Sequence, residues 1–187
     1  MPKPLPPGDE EDEPFYQDPD VFDQAEALID DVTDMSTYDP YADANLAAFR
    51  WMIRVSEGTD GINGYSTLVG GGLFDGFADH PRILVALPNL NIKSSAAGAY
   101  QILRRTWDEV KARLHLPDFS PVSQDLACNE LIRRRGALDD VKAGRFAVAI
   151  DKCKKEWASL PGAGYGQHEN TYARLLDAYT TAGGTVA

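Results

Sequence analysis

Arg54-Val55-Ser56-Glu57-Gly58-Thr59-Asp60 is the stretch on which the reading of this chain turns. Upstream of it, Leu46, Phe49, Met52 and Ile53 recur at helical spacing, with Asp43 or Asn45 available as cap. Gly58 is a favoured residue just past a helix C-terminus, so the helix is expected to end at Glu57. A carboxyl placed there faces the negative end of the helix dipole, and partial burial would further disfavour its charged form. Both effects raise its pKa toward the range of a general acid. Asp60, three residues on, is either a second carboxylate for chemistry or a cap for the loop.

Downstream, the section from Asp60 to Asp79 is rich in glycine. Tyr65-Ser66-Thr67-Leu68-Val69 and Leu73-Phe74 flank Gly70-Gly71-Gly72, which reads as a short hairpin or hairpin-like loop. Two such strands cannot carry a fold alone and would form a β-flap on a helical body. A second helix is expected from about Ala96 to Leu114. A third starts at Ser120-Pro121 and runs to Arg135, stopped by Gly136. A short helix spans Leu138 to Lys142. Phe146, Ile150, Cys153 and Trp157 mark a fifth, and a last helix covers about His168 to Ala182. The fold class is α+β, mainly α, with a small β-flap after the first core helix.

The charge is strongly segregated along the 187 residues. Positions 1–44 hold 14 of the 29 acidic residues and one basic residue, Lys3, for a local net charge of −13. The remainder carries 17 basic and 15 acidic residues. A mildly basic body suits an anionic polymer and equally an ordinary mixed surface. Residues 1–43 read as an acidic, flexible extension with few apolar residues to offset the entropy of ordering; 44–187 form the folded domain. Within the extension, Val21 to Ile29 could form a local helix that docks on the body or on a partner.

No run of apolar residues is long enough to span a bilayer. Met1-Pro2-Lys3-Pro4-Leu5-Pro6-Pro7 lacks the apolar core of a secretory signal, so synthesis in the cytoplasm is expected. Cys128 and Cys153 are too few and too far apart for a zinc site and read as buried apolar residues on helices. The three histidines lack metal-ligand spacing, and no cofactor or metal is expected.

Besides the heptapeptide, two loops combine glycine with groups suited to sugars: Gly98-Ala99-Tyr100-Gln101 and Gly164-Tyr165-Gly166-Gln167. Tyrosine stacks on the apolar face of a pyranose, and glutamine offers paired donors and acceptors to hydroxyl and acetamido groups. Each could equally be a turn or a cap.

Ser56-Glu57-Gly58-Thr59-Asp60, Gly70-Gly71, Asp79-His80-Pro81, Gly98 to Gln101, Phe119-Ser120-Pro121, Arg135 to Leu138 and Trp157 to Gln167 together resemble the endolysins of lambda-type phages, glycoside hydrolase family 104. The likeness runs over roughly residues 46–186, in order and with similar spacing. It implies a lysozyme-like fold and lytic transglycosylase activity on the MurNAc-GlcNAc bond of bacterial peptidoglycan in host lysis. The family's single catalytic glutamate falls on Glu57; beside it Ser56, Thr59 and Asp60 are candidate auxiliaries. The saccharide-contacting cleft maps onto Tyr65, Tyr100, Gln101, Tyr165 and Gln167. Asp60-Gly61-Ile62-Asn63 is shorter than the corresponding segment of many members, Gly72 stands where some carry an acid, and the acidic front has no counterpart.

In such an enzyme one glutamate suffices. Ordinary glycosidases divide the work between two carboxyl groups, about 5–5.5 Å apart when retaining and about 6.5–9.5 Å when inverting. In a transglycosylase the muramyl C6 hydroxyl attacks C1, giving a 1,6-anhydro end, while the glutamate first gives and then takes a proton. Two alternatives stand beside this: a hydrolytic muramidase pairing Glu57 with Asp60, and a non-catalytic glycan-binding module of a virion or secretion device. The partner expected is the glycan strand, with no nucleic acid, no stable membrane insertion, and an unknown partner conceivable for the acidic segment. A monomer is expected, reaching the periplasm through a separate pore such as a holin.

Overall fold

The computed structural model describes residues 43–187 except Asn89 and Gln167. The acidic extension, with its candidate helix over Val21 to Ile29, therefore lies outside the described residues, Asp43 apart. Helix α1, Ala44–Glu57, is the central element. Asp43 caps it, its carboxylate accepting from the Leu46 N–H at 3.0 Å. Its apolar stripe buries Leu46, Phe49, Met52 and Ile53. Gly58, at φ 70°, closes the helix in the left-handed region, and Thr59 N–H donates back to the Arg54 carbonyl at 2.8 Å.

After α1 the chain makes two 3₁₀ turns, Gly64–Ser66 and Val69–Gly71, and then a two-stranded antiparallel sheet of β1, Val85–Leu87, and β2, Ile92–Ser94. Helices follow: α2 Arg104–Leu114, α3 Pro121–Arg134, α4 Leu138–Lys142, α5 Phe146–Cys153 and α6 Tyr172–Thr181. The register of the sheet is Val85 to Ser94, Ala86 to Lys93 and Leu87 to Ile92. Helix α1 packs against α3, α4 and α6. Phe49, Phe146 and Tyr179 form one aromatic centre, with ring centroids 4.8–6.5 Å apart. A second gathers Phe74, His80 and Trp107 around Phe119. Asn45 ties the ends of the domain together, donating to the Lys142 carbonyl and accepting from the Thr185 N–H.

The mainly helical α+β architecture agrees with the sequence reading, as do α1, α3 and α4. The ends of two helices differ: α5 stops at Cys153, short of Trp157, and α6 starts at Tyr172 rather than about His168. Of the two forms expected for Tyr65 to Phe74 the structure has the hairpin-like loop, with one isolated bridge between Thr67 and Leu73 and with Gly70 and Gly71 at φ 81° and 89°. The sheet proper lies at residues 85–94, where no element was foreseen. The second helix begins at Arg104 rather than near Ala96. Ala97 and Ile102 instead exchange both backbone hydrogen bonds, 3.1 and 2.9 Å, around a turn with Gly98 at φ 80° and Gln101 at φ 49°. A side chain at Gly98 would lie 2.2 Å from Gln124 Oε1, so close approach requires glycine there.

Both cysteines are free and buried, on α3 and α5, as read. His80 is also structural. Its Nδ1 accepts from the Arg82 N–H at 3.0 Å, which leaves Nε2 as the donor to the Ile102 carbonyl at 2.9 Å. Burial lowers its pKa and keeps the ring neutral. Among the described residues, no helix is long and apolar enough to cross a membrane.

Candidate active site

Glu57 stands on the last turn of α1, where the helix hands over to the loop Gly58 to Gly64. That loop is folded back and clamped. Arg54 donates from Nε and Nη2 to the Thr59 carbonyl at 3.3 and 3.2 Å, while Thr59 Oγ1 donates to the Ala99 carbonyl at 2.6 Å. A side chain at Gly64 would fall 1.8 Å from the Thr59 carbonyl oxygen, so the return of the loop also depends on a glycine. Thr59 is thus buried and structural, fixing the backbone just past the glutamate. Asp60 is exposed on the loop surface.

The Glu57 residue as a whole is partly exposed, but its carboxyl is surrounded closely enough for desolvation to dominate. Burial pushes its pKa up to about 7, against a smaller lowering by a hydrogen bond from Ser159. Ser159 Oγ lies 2.5 Å from Glu57 Oε1 and 2.7 Å from Ser56 Oγ. Asn170, buried just before α6, donates from Nδ2 to the Ser56 carbonyl at 3.0 Å and to Ser56 Oγ at 3.2 Å. Its own backbone N–H reaches the Ser159 carbonyl at 2.8 Å. Near neutral pH a carboxyl with such a pKa is present in both protonation states.

The other residues singled out in the sequence fall into three groups. Tyr65, Gln101 and Tyr165 keep partly exposed surfaces. The Tyr65 ring lies under the Arg54 guanidinium at 4.7 Å, and its hydroxyl donates to Asp125 Oδ1 at 2.8 Å. Gln101 commits its amide nitrogen to the Gly98 and Thr67 carbonyls at 2.9 and 3.2 Å. Lys155 Nζ stands 5.6 Å from the centroid of the Tyr165 ring. Tyr100, by contrast, is drawn inside at 1 % exposure. Its hydroxyl donates to Asp125 Oδ1 at 2.6 Å, and its carbonyl accepts from Trp157 Nε1 at 3.0 Å. It cannot offer a face to a sugar ring, because the tight turn at Gly98 to Gln101 points it at the core; it supports Tyr65 from behind in an edge-on contact, centroids 6.5 Å apart. Gln167 lies outside the described residues.

The contacts of Ser159 and Asn170 around Glu57 are not visible in the sequence. Ser159 sits inside the quoted run Trp157 to Gln167, but a lone serine carries no chemical signature, and Asn170 lies 114 positions from the Ser56 it holds. Among the described residues, no group of histidine, cysteine, aspartate and glutamate side chains is arranged to hold a metal ion.

The overall shape has solved counterparts. A lysozyme from bacteriophage lambda complexed with a chitohexasaccharide superposes with a TM-score of 0.73 at 46 % sequence identity, over 77 % of this chain and 97 % of that one. A second structure of lysozyme from bacteriophage lambda gives 0.70 at the same identity and coverage. Fold and site together place the molecule among the lysozyme-like enzymes. The curated relatives narrow the class. The chain is 48 % identical over 145 residues to an endolysin of Escherichia phage lambda, covering 74 % of this chain and 91 % of the relative. It is 45 % identical over 157 residues to an endolysin of Escherichia phage P2, covering 76 % and 95 %. With the Endolysin family profile matching residues 47–186, the chain belongs to that family. It is a peptidoglycan-cleaving enzyme of host lysis, acting on the bacterial cell wall.

Proposed function

We propose that the enzyme is a lytic transglycosylase in which Glu57 serves as both general acid and general base. The observation that carries this reading is a single carboxyl raised to about pKa 7 at the end of α1, while Asp60, the residue available as a second carboxylate, points to solvent. Protonated Glu57 gives its proton to the leaving GlcNAc O4 as the bond to the muramyl C1 breaks. The resulting carboxylate then takes the proton of the muramyl C6 hydroxyl as that oxygen closes on C1. Acid and base are then the same group at two moments, and no protein nucleophile is needed.

A glycan strand would lie across the partly exposed faces of Tyr65, Gln101 and Tyr165, with Tyr100 beneath Tyr65 as support. The complex of the related lambda lysozyme with a chitohexasaccharide supports an oligosaccharide as ligand. Gln167 belongs to the same proposed cleft by its place in the sequence motif. Arrival at the wall through a holin-type pore is the delivery step that goes with this reading.

Mass spectrometry of digested peptidoglycan tests the assignment. Muropeptides one water lighter than the hydrolytic products are expected. Reducing muramyl ends would replace the reading by a hydrolase that uses Glu57 with Asp60.

A further inference from the structure

We infer that Asn170 is a positioning residue that, through Ser56 and Ser159, fixes which oxygen of Glu57 exchanges the proton: Oε1 is held as a permanent acceptor and Oε2 faces the substrate. The inference rests on Glu57 being the acid and base of the reaction.

The hydrogens available along the chain fix its direction. Asn170 Nδ2 carries two hydrogens, and its acceptors are the Ser56 carbonyl at 3.0 Å and Ser56 Oγ at 3.2 Å, with the Ser159 carbonyl farther away at 3.4 Å. An amide nitrogen only donates, so Ser56 Oγ is used as an acceptor and its own hydrogen is free to point onward. At 2.7 Å, Ser159 Oγ receives it. Ser159 in turn directs its hydrogen to Glu57 Oε1 at 2.5 Å. All the hydrogens of the chain thus run one way, from Asn170 to the carboxyl. If the catalytic proton sat on Oε1 and pointed at Ser159, Ser159 would turn its hydrogen to Ser56 Oγ, which would then accept from both Ser159 and Asn170 and lose the acceptor of its own hydrogen. The proton therefore rides on Oε2. When it leaves, the O–H electron pair stays on Oε2, and the same oxygen later recovers a proton.

The environment is built for this polarity. Asn170 is 5 % exposed, and its backbone N–H is pinned to the Ser159 carbonyl, so the amide cannot drift. The Ser56 carbonyl can only accept, so it is Nδ2 and not Oδ1 of the amide that faces Ser56. The charged groups on the neighbouring elements are engaged elsewhere. Arg54 holds the Thr59 and Gly61 carbonyls, Glu169 accepts from the Gly162 and Gly164 N–H groups, Glu156 pairs with Arg135, and Asp60 is exposed. A neutral chain, rather than a cation, is what tunes the carboxyl, and it lowers the pKa only part of the way back from the effect of burial.

The test is the pH profile of kcat/KM on peptidoglycan, read beside a direct carboxyl titration of Glu57 by NMR in the full-length protein. Ser159→Ala should move the descending, high-pH limb upward by about one pH unit, since a donor to the carboxylate is lost; Ser159→Thr, which keeps a hydroxyl, should restore it. Asn170→Ala should displace the limb in the same direction, and Ser159→Ala with Asn170→Ala should give no more than Ser159→Ala alone. Ser56→Ala cuts the same chain one link nearer and should behave like Asn170→Ala should the latter fail to fold. Additive displacements in the double variant, or loss of thermal stability with an unmoved limb and titration, would overturn the inference. The NMR titration reads the chain even where Glu57→Gln retained activity, the result that would instead remove the catalytic reading.

Discussion

Helices α1 and α3 are both 14 residues long, and each carries a glutamate near its C-terminal end. The two carboxyls nevertheless titrate in opposite directions. At the end of α1, burial raises Glu57 to about 7 and the one hydrogen bond from Ser159 recovers only part of the shift. On α3, burial also pushes Glu130 upward, but the hydrogen bond and charge of Arg133, with Arg113 and Arg134 beside it, outweigh that and leave its pKa lowered. Arg133 Nε lies 2.6 Å from Glu130 Oε2, and Arg113 Nε lies 2.8 Å from Oε1. Desolvation is the largest effect on both, so the difference lies in the cations beside Glu130. Glu130 is an anchor, and Glu57 is kept able to change its charge.

The strongest attack on this comparison removes the proposed acid. Glu57→Gln should lower turnover by at least about a thousandfold, the scale of losing a positioned acid and base, measured as release of soluble muropeptides. The same variant should be more stable than the parent at alkaline pH. The folded pKa lies above the unfolded one, so the folded protein binds more protons between about 4.5 and 7. Stability from this residue is thus full below about pH 4.5 and falls as pH rises through 7. The shift corresponds to about 3 kcal/mol as an upper bound. Urea unfolding at pH 5 and pH 8.5 should show the variant gaining relative to wild type at the higher pH; equal gains at both would mean that the carboxyl is not desolvated.

Glu130→Gln should give the mirror image with a smaller amplitude. A lowered pKa contributes stability that is present at neutral pH and lost as acid takes the carboxylate through its folded pKa. Breaking a fully buried pair costs about 3–5 kcal/mol, but Arg133 and Arg113 are about a third exposed. About 2 kcal/mol at pH 7, shrinking as acid protonates the carboxylate below the ordinary glutamate range, is expected with wall cleavage unchanged. A stability loss that did not shrink in acid would point to packing instead of charge.

How the sequence exposed these two regions differs in kind. The end of α1 was legible because its signals are local: an apolar stripe, a cap at Asp43, a stop at Gly58 and a carboxyl between them. Ser120-Pro121 and Gly136 marked α3 in the same way. The charge state of Glu57 was legible only in sign, since the donor that tempers it comes from Ser159, 102 positions later. The flap was read least well. The glycine run marks the hairpin-like loop, whereas the two-stranded sheet at 85–94 is too short to show a period. Tyr100 was misjudged for a related reason: whether a tyrosine beside a glycine faces solvent or core depends on a turn closed by Gln124 from α3, whose Oε1 accepts the Ala99 N–H at 2.8 Å.

The smallest expected effect separates the two helix ends most cleanly. Both close on a left-handed glycine with open space around it, Gly58 at φ 70° and Gly136 at φ 64°. Alanine in that conformation costs about 1 kcal/mol through backbone strain alone, so Gly58→Ala and Gly136→Ala should lower thermal stability by similar amounts. Their effect on catalysis should differ. Gly58 sets the exit of the chain directly after Glu57 and with it the angle at which Thr59 docks on Ala99, so relaxing the strain there moves the carboxyl relative to Ser159. Gly136 lies beyond the arginines that hold Glu130 and touches no part of the proton chain. Gly58→Ala should therefore lose about tenfold in kcat, the scale of a small misplacement of a reacting group, while Gly136→Ala keeps full turnover below its melting temperature. Equal turnover in the two variants would show that the rigidity of the α1 terminus holds the fold and not the acid.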